Sequence, residues 1–405
     1  MNVLALNSGS NSLKFELFRV APDHEMDRAE TVVQGAYDNI GKSGGTFSLS
    51  KEGREIAHED CEIRNYGHAA ELLFDRLEGG AREFGVSKAR ELDWVEHRVV
   101  HGGDLFDRPA RIDDEVIERI RKLEELAPLH NKSSLAVIEK MRTKLGPNVP
   151  MAAVLDTVFH RGIPEHAALY GLPSELSRRY KIRRYGFHGL SHRYMMLRFA
   201  QIARRPASQL KFVTAHLEGG SSVAAIEHGR SVDTSMGFTP LEGLMMGTRS
   251  GDLDPAIVCF LMQRENLDAA AAEEFLNKKC GLLGVSGVSA DTRDLMKNID
   301  DPHVALALDM FSYRVRKYIG AYLAVLDGAD AVVLGGGIAE NTPEVRRRIL
   351  RNLSSFGIAL DSATNEELID REGHITAPHS TLAVWVIPTR ENLMVAQEAA
   401  SVCQE

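Results

Sequence analysis

Two stretches of the chain share one pattern of apolar and polar positions. In the first, the apolar run Val3 to Leu6 leads into the polar string NSGSNS. Apolar residues then return at every second position, with Leu13, Phe15 and Leu17 interleaved by Lys14 and Glu16. A continuous apolar run predicts a fully buried strand, strict alternation a half-buried one, and the Gly-Ser-Asn string a tight turn between them. Phe212 to Ala215 followed by HLEGGSSVAAI, His216 to Ile226, repeats the pattern about half a chain length later. Glycine and serine let such a turn face its N–H groups and hydroxyls outward, the local chemistry of a phosphate cradle. One such match reads as an ordinary turn. Two, half a chain apart, predict an internal duplication with a polyphosphate held between the halves.

Other segments fill in the architecture. The polar stretch DNIGKSGGTFSLSKEGREIAHED, Asp38 to Asp60, reads as an inserted hairpin. Val304, Leu308, Phe311, Val315, Ile319, Tyr322 and Leu326 recur at spacings of three and four and mark one buried helical face. The strand DAVVLGGG ends at Gly335, Gly336 and Gly337, and Thr342-Pro343 supplies an N-cap and first-turn proline for a helix carrying Val345 and Ile349. A late strand spans Leu382 to Ile387, and Arg390 to Val402 reads as a helix able to return to the first domain. At 405 residues with 44% apolar content, the chain is long enough for two cores. The expected division is 1–157 and 158–388, with a helix at about 389–405 packing back on the first domain.

Charge and cysteine content narrow the function. Fifty-seven acidic against 48 basic residues give a net −9 with no dense Lys/Arg block, which argues against nucleic acid and anionic membrane as partners. The opening MNVLALNSGS lacks a basic leader, and no apolar run approaches the ~20 residues that span a bilayer, so a cytoplasmic protein is expected. Cys61, Cys259, Cys280 and Cys403 form no CxxC pair, which argues against a zinc site or disulfide framework.

The chemistry-bearing strings are HRVVHGG (His97 to Gly103), LAPLHN (Leu126 to Asn131), LDTVFH (Leu155 to His160), RRYGFHGLSH (Arg183 to His192) and SMGFTPLEGLMMGTRSGDLDP (Ser235 to Pro255). Histidine, arginine and aspartate set among apolar residues are costly to bury without partners, so these strings are expected to converge on a site. Taken singly, His97, His101 and His160 read as satisfied core or surface residues, whereas His188 and Arg249, set among glycines, read as functional.

Together, HRVVHGG, PLHN, YGFHGxSH and SMGFTPLEG resemble the acetate kinase family of short-chain acyl kinases, within the superfamily of acetate and sugar kinases, heat-shock chaperones and actin. The likeness runs in order from Val3 to about Leu393. It implies an α/β fold of duplicated ribonuclease-H-like, actin-like ATPase domains with a cleft between them. It also implies reversible transfer of the ATP γ-phosphoryl group to acetate, giving acetyl phosphate and ADP, with Mg2+ (or Mn2+), in a homodimer formed through the C-terminal domain. By resemblance Arg98 holds the acyl carboxylate, and Val100, Leu129, Phe187 and Pro240 line a small methyl pocket. His188 and Arg249 stabilise the phosphoryl transition state, for which planar guanidinium donors suit equatorial oxygens. Asp156 matches the active-site aspartate; acetate is already ionised at neutral pH, so an orienting role fits it better than proton abstraction. Asn7 and Glu391 match the metal ligands, and Lys14 meets the nucleotide phosphates. His216, Leu217, Glu218, Gly219 and Gly220 match a second phosphate loop, Asp291, Thr292 and Arg293 a nucleoside contact, and Gly337, Ile338, Ala339, Glu340 and Asn341 an adenosine loop.

Some positions depart from the family pattern. HLEGG stands where the family has HLGNG, so Glu218 adds a negative charge and Gly219 removes an amide. Ala339 occupies a glycine position, Thr292 one where an aromatic is common, and Arg390 sits beside Glu391. These leave propionate or butyrate kinase, and an acyl kinase using pyrophosphate, as alternatives. An actin-like or chaperone-like ATP-driven switch and a degenerate binding protein are the readings from other classes.

Overall fold

The computed structural model describes residues 1–9, 11–20, 29–79, 84–86, 88–124 and 131–403. Ser10 of the first hairpin and Leu129 of the expected methyl pocket lie outside these residues. The chain divides into two compact units, Met1–Val158 with Arg390–Glu405, and Phe159–Thr389.

The first unit is built on β1 (Asn2–Ser8), β2 (Leu13–Arg19), β3 (Glu30–Asp38), β4 (Thr46–Lys51), β5 (Arg54–Asp60), β6 (Trp94–Val99), β7 (Ala110–Arg111) and β8 (Met151–Leu155). They lie side by side as β5-β4-β3-β2-β1-β6-β8-β7. The second unit holds β9 (Lys211–Leu217), β10 (Ser221–Glu227), β11 (Arg230–Thr234), β12 (Ala331–Gly335), β13 (Gly373–His374) and β14 (Ala383–Val386), in the order β11-β10-β9-β12-β14-β13. One arrangement therefore occurs twice. In β3-β2-β1-β6-β8 and in β11-β10-β9-β12-β14, an antiparallel meander of three strands is continued by two strands parallel to its innermost member. The duplication read from the two polar hairpins is present in the topology.

Local sequence accounts for these elements. Val3 to Leu6 are buried without interruption, while β2 turns Leu13, Phe15 and Leu17 inward and Lys14 outward. β4 and β5 form the expected hairpin, closed by Glu52 and Gly53, both at positive φ (50° and 74°), as a two-residue loop requires to match strand twist. The helix Tyr66–Glu78 sets Ala69, Ala70, Leu73 and Leu77 into the first core. In the second unit, helix Pro302–Val325 is capped by Asp301, which accepts from His303 and Val304 N–H, and all seven residues of its expected apolar face are buried, Leu326 at the C-cap included. Helix Gly189–Ala203 packs Met195, Met196 and Phe199 against Phe212, Ala224, Ala331 and Val333 of the same sheet.

Two local expectations need correction. Pro343 does open the helix Pro343–Leu350, but Thr342 makes no side-chain cap. The reason is the preceding segment: Gly337–Asn341 is itself a helical turn, and Thr342 donates its N–H to Ile338 O as the end of that turn. The segment 335–342 thus runs from strand into helix where a plain glycine turn was expected.

Candidate active site

In the first unit, β1, β6 and β8 run parallel, and the carboxyl ends of parallel strands are where α/β folds present ligand-binding groups. Asn7 lies near the end of β1 with Lys14 opposite it on β2 and Arg98 as its register partner on β6. Directly paired residues project to one face, so these three form a row across neighbouring strands. Asp156 follows β8 immediately, and Glu391 opens the helix Glu391–Cys403, which packs on β1, β6 and β8. Arg98 is the hub. Its Nε and Nη2 donate to the two carboxylate oxygens of Asp156 at 2.9 and 2.5 Å, and its Nη1 lies 3.1 Å from Asn7 Oδ1 and 3.1 Å from Glu391 Oε2. Asp156 is 1% exposed and Glu391 17%. Asn7, Asp156 and Glu391 are all oxygen donors gathered around one cation, a set whose chemistry suits magnesium. Lys14 is exposed.

The strings HRVVHGG, LDT and the end of PLHN meet here. Asn131 brackets His101, accepting from its N–H (3.1 Å) and donating to its carbonyl (2.9 Å), and Thr157 Oγ1 accepts from Gly102 N–H at 2.9 Å. Val100 is buried beside them.

The second unit collects the other strings. His188 and His192 stand four residues apart at the start of helix Gly189–Ala203, with His188 itself at φ 56° in the left-handed region. On the sheet, Thr214 and His216 share one face of β9, and Ser222 is the cross-strand partner of His216 on β10. The His188 and His216 rings are 4.4 Å apart between centroids. A β-carbon at Gly220 would lie 3.4 Å from both Arg249 Nη1 and His188 Nε2, so the glycine turn runs against both side chains. Arg249 donates to the Pro240 carbonyl (3.3 Å) and touches Met246 Sδ (3.7 Å), and among the described residues no carboxylate pairs with it. Burial pushes its pKa down, yet it starts far above neutrality, so a desolvated cation stands beside the glycine hairpin. Phe187 is 1% exposed, and its carbonyl meets His160 Nε2 at 3.0 Å.

Around the loops assigned to nucleotide, the residues hold one another. Leu217 is buried, Gly219 has open space where a β-carbon would stand, and the Glu218 side chain is half exposed with Oε2 3.6 Å from His216 Nε2. Glu340 turns its carboxylate onto Gly336 N–H (2.7 Å) and Thr389 N–H (2.9 Å), clamping the turn to the chain after β14, and burial raises its pKa. Asn341 donates to Gly337 O, while Ile338 and Ala339 are buried. Arg346, fully buried, donates to the carbonyls of Ala339, Glu340, Asn365 and Leu368 and to Asn365 Oδ1. Asp291 caps helix Thr292–Lys297 and pairs with exposed Arg293, which holds its carboxyl below the usual range; Thr292 is buried.

Leu129 aside, which lies outside the described residues, the expected residues thus gather in two sets, Asn7, Lys14, Arg98, Val100, Asp156 and Glu391 in the first unit and the remainder in the second. Sequence reading passed over Thr214, Ser222 and His192 as participants. The available signal was the i, i+4 histidine pair set against alternation of Thr214 with His216.

A strand order repeated in both units is the mark of the duplicated ribonuclease-H-like fold, and cationic groups collected beside its polar hairpins suit the phosphoryl-transfer enzymes of that fold. Residues 2–397 match the acetokinase family, to which the chain belongs. It is 47% identical to an acetate kinase of Desulfitobacterium hafniense over 408 residues, covering the whole of both chains. Among solved structures it resembles an acetate kinase of Porphyromonas gingivalis (TM-score 0.90, 37% identity) and a propionate kinase of Francisella tularensis (TM-score 0.90, 34% identity), each over 99% of both chains. Among the described residues no helix is long and apolar enough to cross a membrane.

Proposed function

We propose that this chain reversibly transfers the γ-phosphoryl group of ATP to acetate, giving acetyl phosphate and ADP by direct in-line displacement. The observation that carries the reading is Arg249, a buried cation with no carboxylate partner among the described residues, placed with His188 beside the Gly-Ser hairpin. A carboxylate attacking a phosphoryl group is an anion approaching an anion, so positioning and positive charge dominate catalysis. His188 and Arg249 donate to the equatorial oxygens of the migrating group, whose loose transition state spreads its charge over them. Arg98 holds the acetate carboxylate, and Asp156, gripping the same guanidinium through two hydrogen bonds, orients it. Acetate is ionised at neutral pH, so no residue need remove a proton.

Asn7, Glu391 and Asp156 would hold Mg2+, directly or through its water, and the ion would neutralise charge on the bridging phosphate oxygens when bound. Gly337 to Asn341 and Asp291 to Arg293 receive the nucleoside, with Lys14 and His216 to Gly220 on its phosphates. Val100, Phe187 and Pro240 are the residues we assign to the acyl methyl group, and their bulk would limit chain length.

The chain works as a homodimer through its second unit. Helix Pro255–Arg264, PAIVCFLMQR, buries no residue, leaving Ile257 and Phe260 46% and 55% exposed, and Leu306, Met310 and Tyr313 are exposed on helix Pro302–Val325. Apolar helix faces of this kind mark interaction surfaces; light scattering that gives the monomer mass at micromolar concentration would refute the dimer.

Trapping acyl phosphate as hydroxamate across acetate, propionate and butyrate, with ATP or pyrophosphate as donor, tests the activity. Acetate with ATP should have the highest kcat/KM. A higher value for propionate assigns the chain to the second kinase class among its relatives, and no hydroxamate with any acid overturns the reading.

A further inference from the structure

We propose that Thr214, His192 and Ser222 form a one-way hydrogen-bond relay that fixes the proton of neutral His188 on Nε2, the nitrogen facing the glycine hairpin. The three are positioning residues, and the kinetic part of the argument rests on the reading of His188 as a phosphoryl donor.

The direction of the relay follows from its far end. The Thr214 hydroxyl is fully buried on β9, and its one hydrogen-bond partner among the described residues is His192 Nδ1, 2.8 Å away. A buried O–H without an acceptor is costly, so Thr214 donates and His192 Nδ1 accepts. His192 is itself fully buried, and desolvation drives its pKa well below the ordinary value, so the ring carries a single proton, on Nε2. That N–H meets Ser222 Oγ at 2.8 Å and donates to it. Ser222 Oγ, also fully buried, has spent an acceptor position on His192, and its own proton goes to its other partner, His188 Nδ1 at 2.9 Å. With Nδ1 accepting, neutral His188 carries its proton on Nε2, 3.4 Å from the β-carbon position of Gly220 and beside Arg249 Nη1.

The reversed chain would strand the Thr214 proton and aim a lone pair of His188 toward the hairpin, repelling an anion. A second proton on His188 would reverse that, but the groups around it oppose added charge. Arg249 lies on the loop after Pro240, the His216 ring packs against it from β9, and His192 on its own helix stays neutral with His160 behind it at 5.5 Å. Glu218 reaches the neighbouring ring, its Oε2 3.6 Å from His216 Nε2. The relay therefore supplies an N–H donor without adding charge, fixed before any ligand arrives, which is what preorganised transition-state stabilisation requires.

The test is the tautomer itself. In the full-length chain labelled with 15N-histidine, long-range proton–nitrogen spectra should show His188 and His192 both protonated on Nε2 and bare on Nδ1. Thr214→Val keeps the shape of the side chain and removes only the hydroxyl. His192 is then no longer held to one tautomer, Ser222 can turn to it, and His188 becomes a mixture of Nδ1–H and Nε2–H forms. Turnover of T214V at about pH 8 should fall by about two- to tenfold and recover toward that of the parent as pH is lowered, because a second proton restores the Nε2–H. Thr214→Ser should keep both the parent tautomer and the parent pH profile. Ser222→Ala, which cuts the relay at its middle, gives a second readout as a mixed His188 tautomer. A parent His188 protonated on Nδ1, or a T214V variant with unchanged tautomer and pH profile, overturns the relay. A parent that makes no acyl phosphate but shows the expected tautomers refutes the proposed activity and leaves the relay standing.

Discussion

Replacing Arg98 by alanine should cost stability as well as activity, and the structure gives the size of the first effect. The guanidinium stands between Asp156, 1% exposed, and Glu391, 17% exposed, with Asn7 as a third oxygen partner. Removing one partner of a buried ion pair leaves a charge without compensation and costs about 3–5 kcal/mol. Glu391 can recover some hydration, so the lower end, about 3 kcal/mol, is expected. With a urea m-value of about 2 kcal/mol/M, that moves the unfolding midpoint of the first unit down by roughly 1.5 M. Adding Asp156→Asn to R98A removes the orphaned charge and should return part of the loss, with a coupling of about 1–3 kcal/mol. Magnesium should raise the midpoint of R98A more than that of the parent, since a cation could take the place of the guanidinium among the same oxygens. Turnover should fall at least ~100-fold, the scale of losing one preorganised donor. Urea denaturation followed by circular dichroism, with and without Mg2+, is the assay. An R98A midpoint within about 0.2 M of the parent would refute the argument that Arg98 compensates buried carboxylates.

Three further outcomes follow from other parts of the molecule. Arg249→Ala should also lose at least ~100-fold in turnover, yet with no carboxylate orphaned its unfolding midpoint should match or exceed that of the parent; a clear loss of stability contradicts the picture of a cation awaiting an anion. Gly219→Asn has open space for its β-carbon and should lower the KM for ATP by up to about tenfold, more than Glu218→Gly, whose side chain is already half exposed; a larger gain from E218G, or a parent preference for pyrophosphate, reverses this reading of the loop. Burial lowers the His97 pKa to about 3 and that of His160 to about 4, so both remain neutral in the fold while the unfolded chain takes up protons below about 6.5, and stability is lost as pH falls through that window. His97→Leu removes one such site and should spare about 2 kcal/mol of the loss between about pH 7 and pH 5, measured by urea unfolding at each pH; an identical loss in parent and variant means that His97 is protonated in the fold.

What the sequence made legible was set by local periodicity. The buried run of β1, the alternation of β2, the hairpin of β4 and β5 and the long face from Val304 to Leu326 each need only neighbours along the chain. Thr342 misled because its N–H is already committed to a helical turn that glycine-rich sequence reads as loop. The resemblance to a family named Arg98, Asp156 and Glu391 one by one, but not that a single guanidinium grips both carboxylates, because that depends on which strands lie side by side and on a helix from the far end of the chain. Thr214 and Ser222 were invisible for another reason. A hydroxyl residue in a buried strand looks like any other β-former until the partner across the layer is known, and here the partner is a histidine on a separate helix.

The returning helix has a consequence for how the protein is made. Leu393, Met394, Val395, Ala396 and Ala399 are buried in the first unit, and Glu391 completes the set around Arg98, yet all of them leave the ribosome only after residues 159–389. At about 5–20 residues per second, the surface of β1, β6 and β8 that this helix covers waits on the order of ten to fifty seconds for it. During that interval the nascent first unit shows an apolar face and carries Asp156 and Arg98 without their third charge. A fragment ending at Val158 should therefore bind a hydrophobic dye that the full chain excludes, and failure to bind it would mean that the first unit closes on its own. Synthesis thus makes the docking of this later helix the step that commits the earlier unit to its final form.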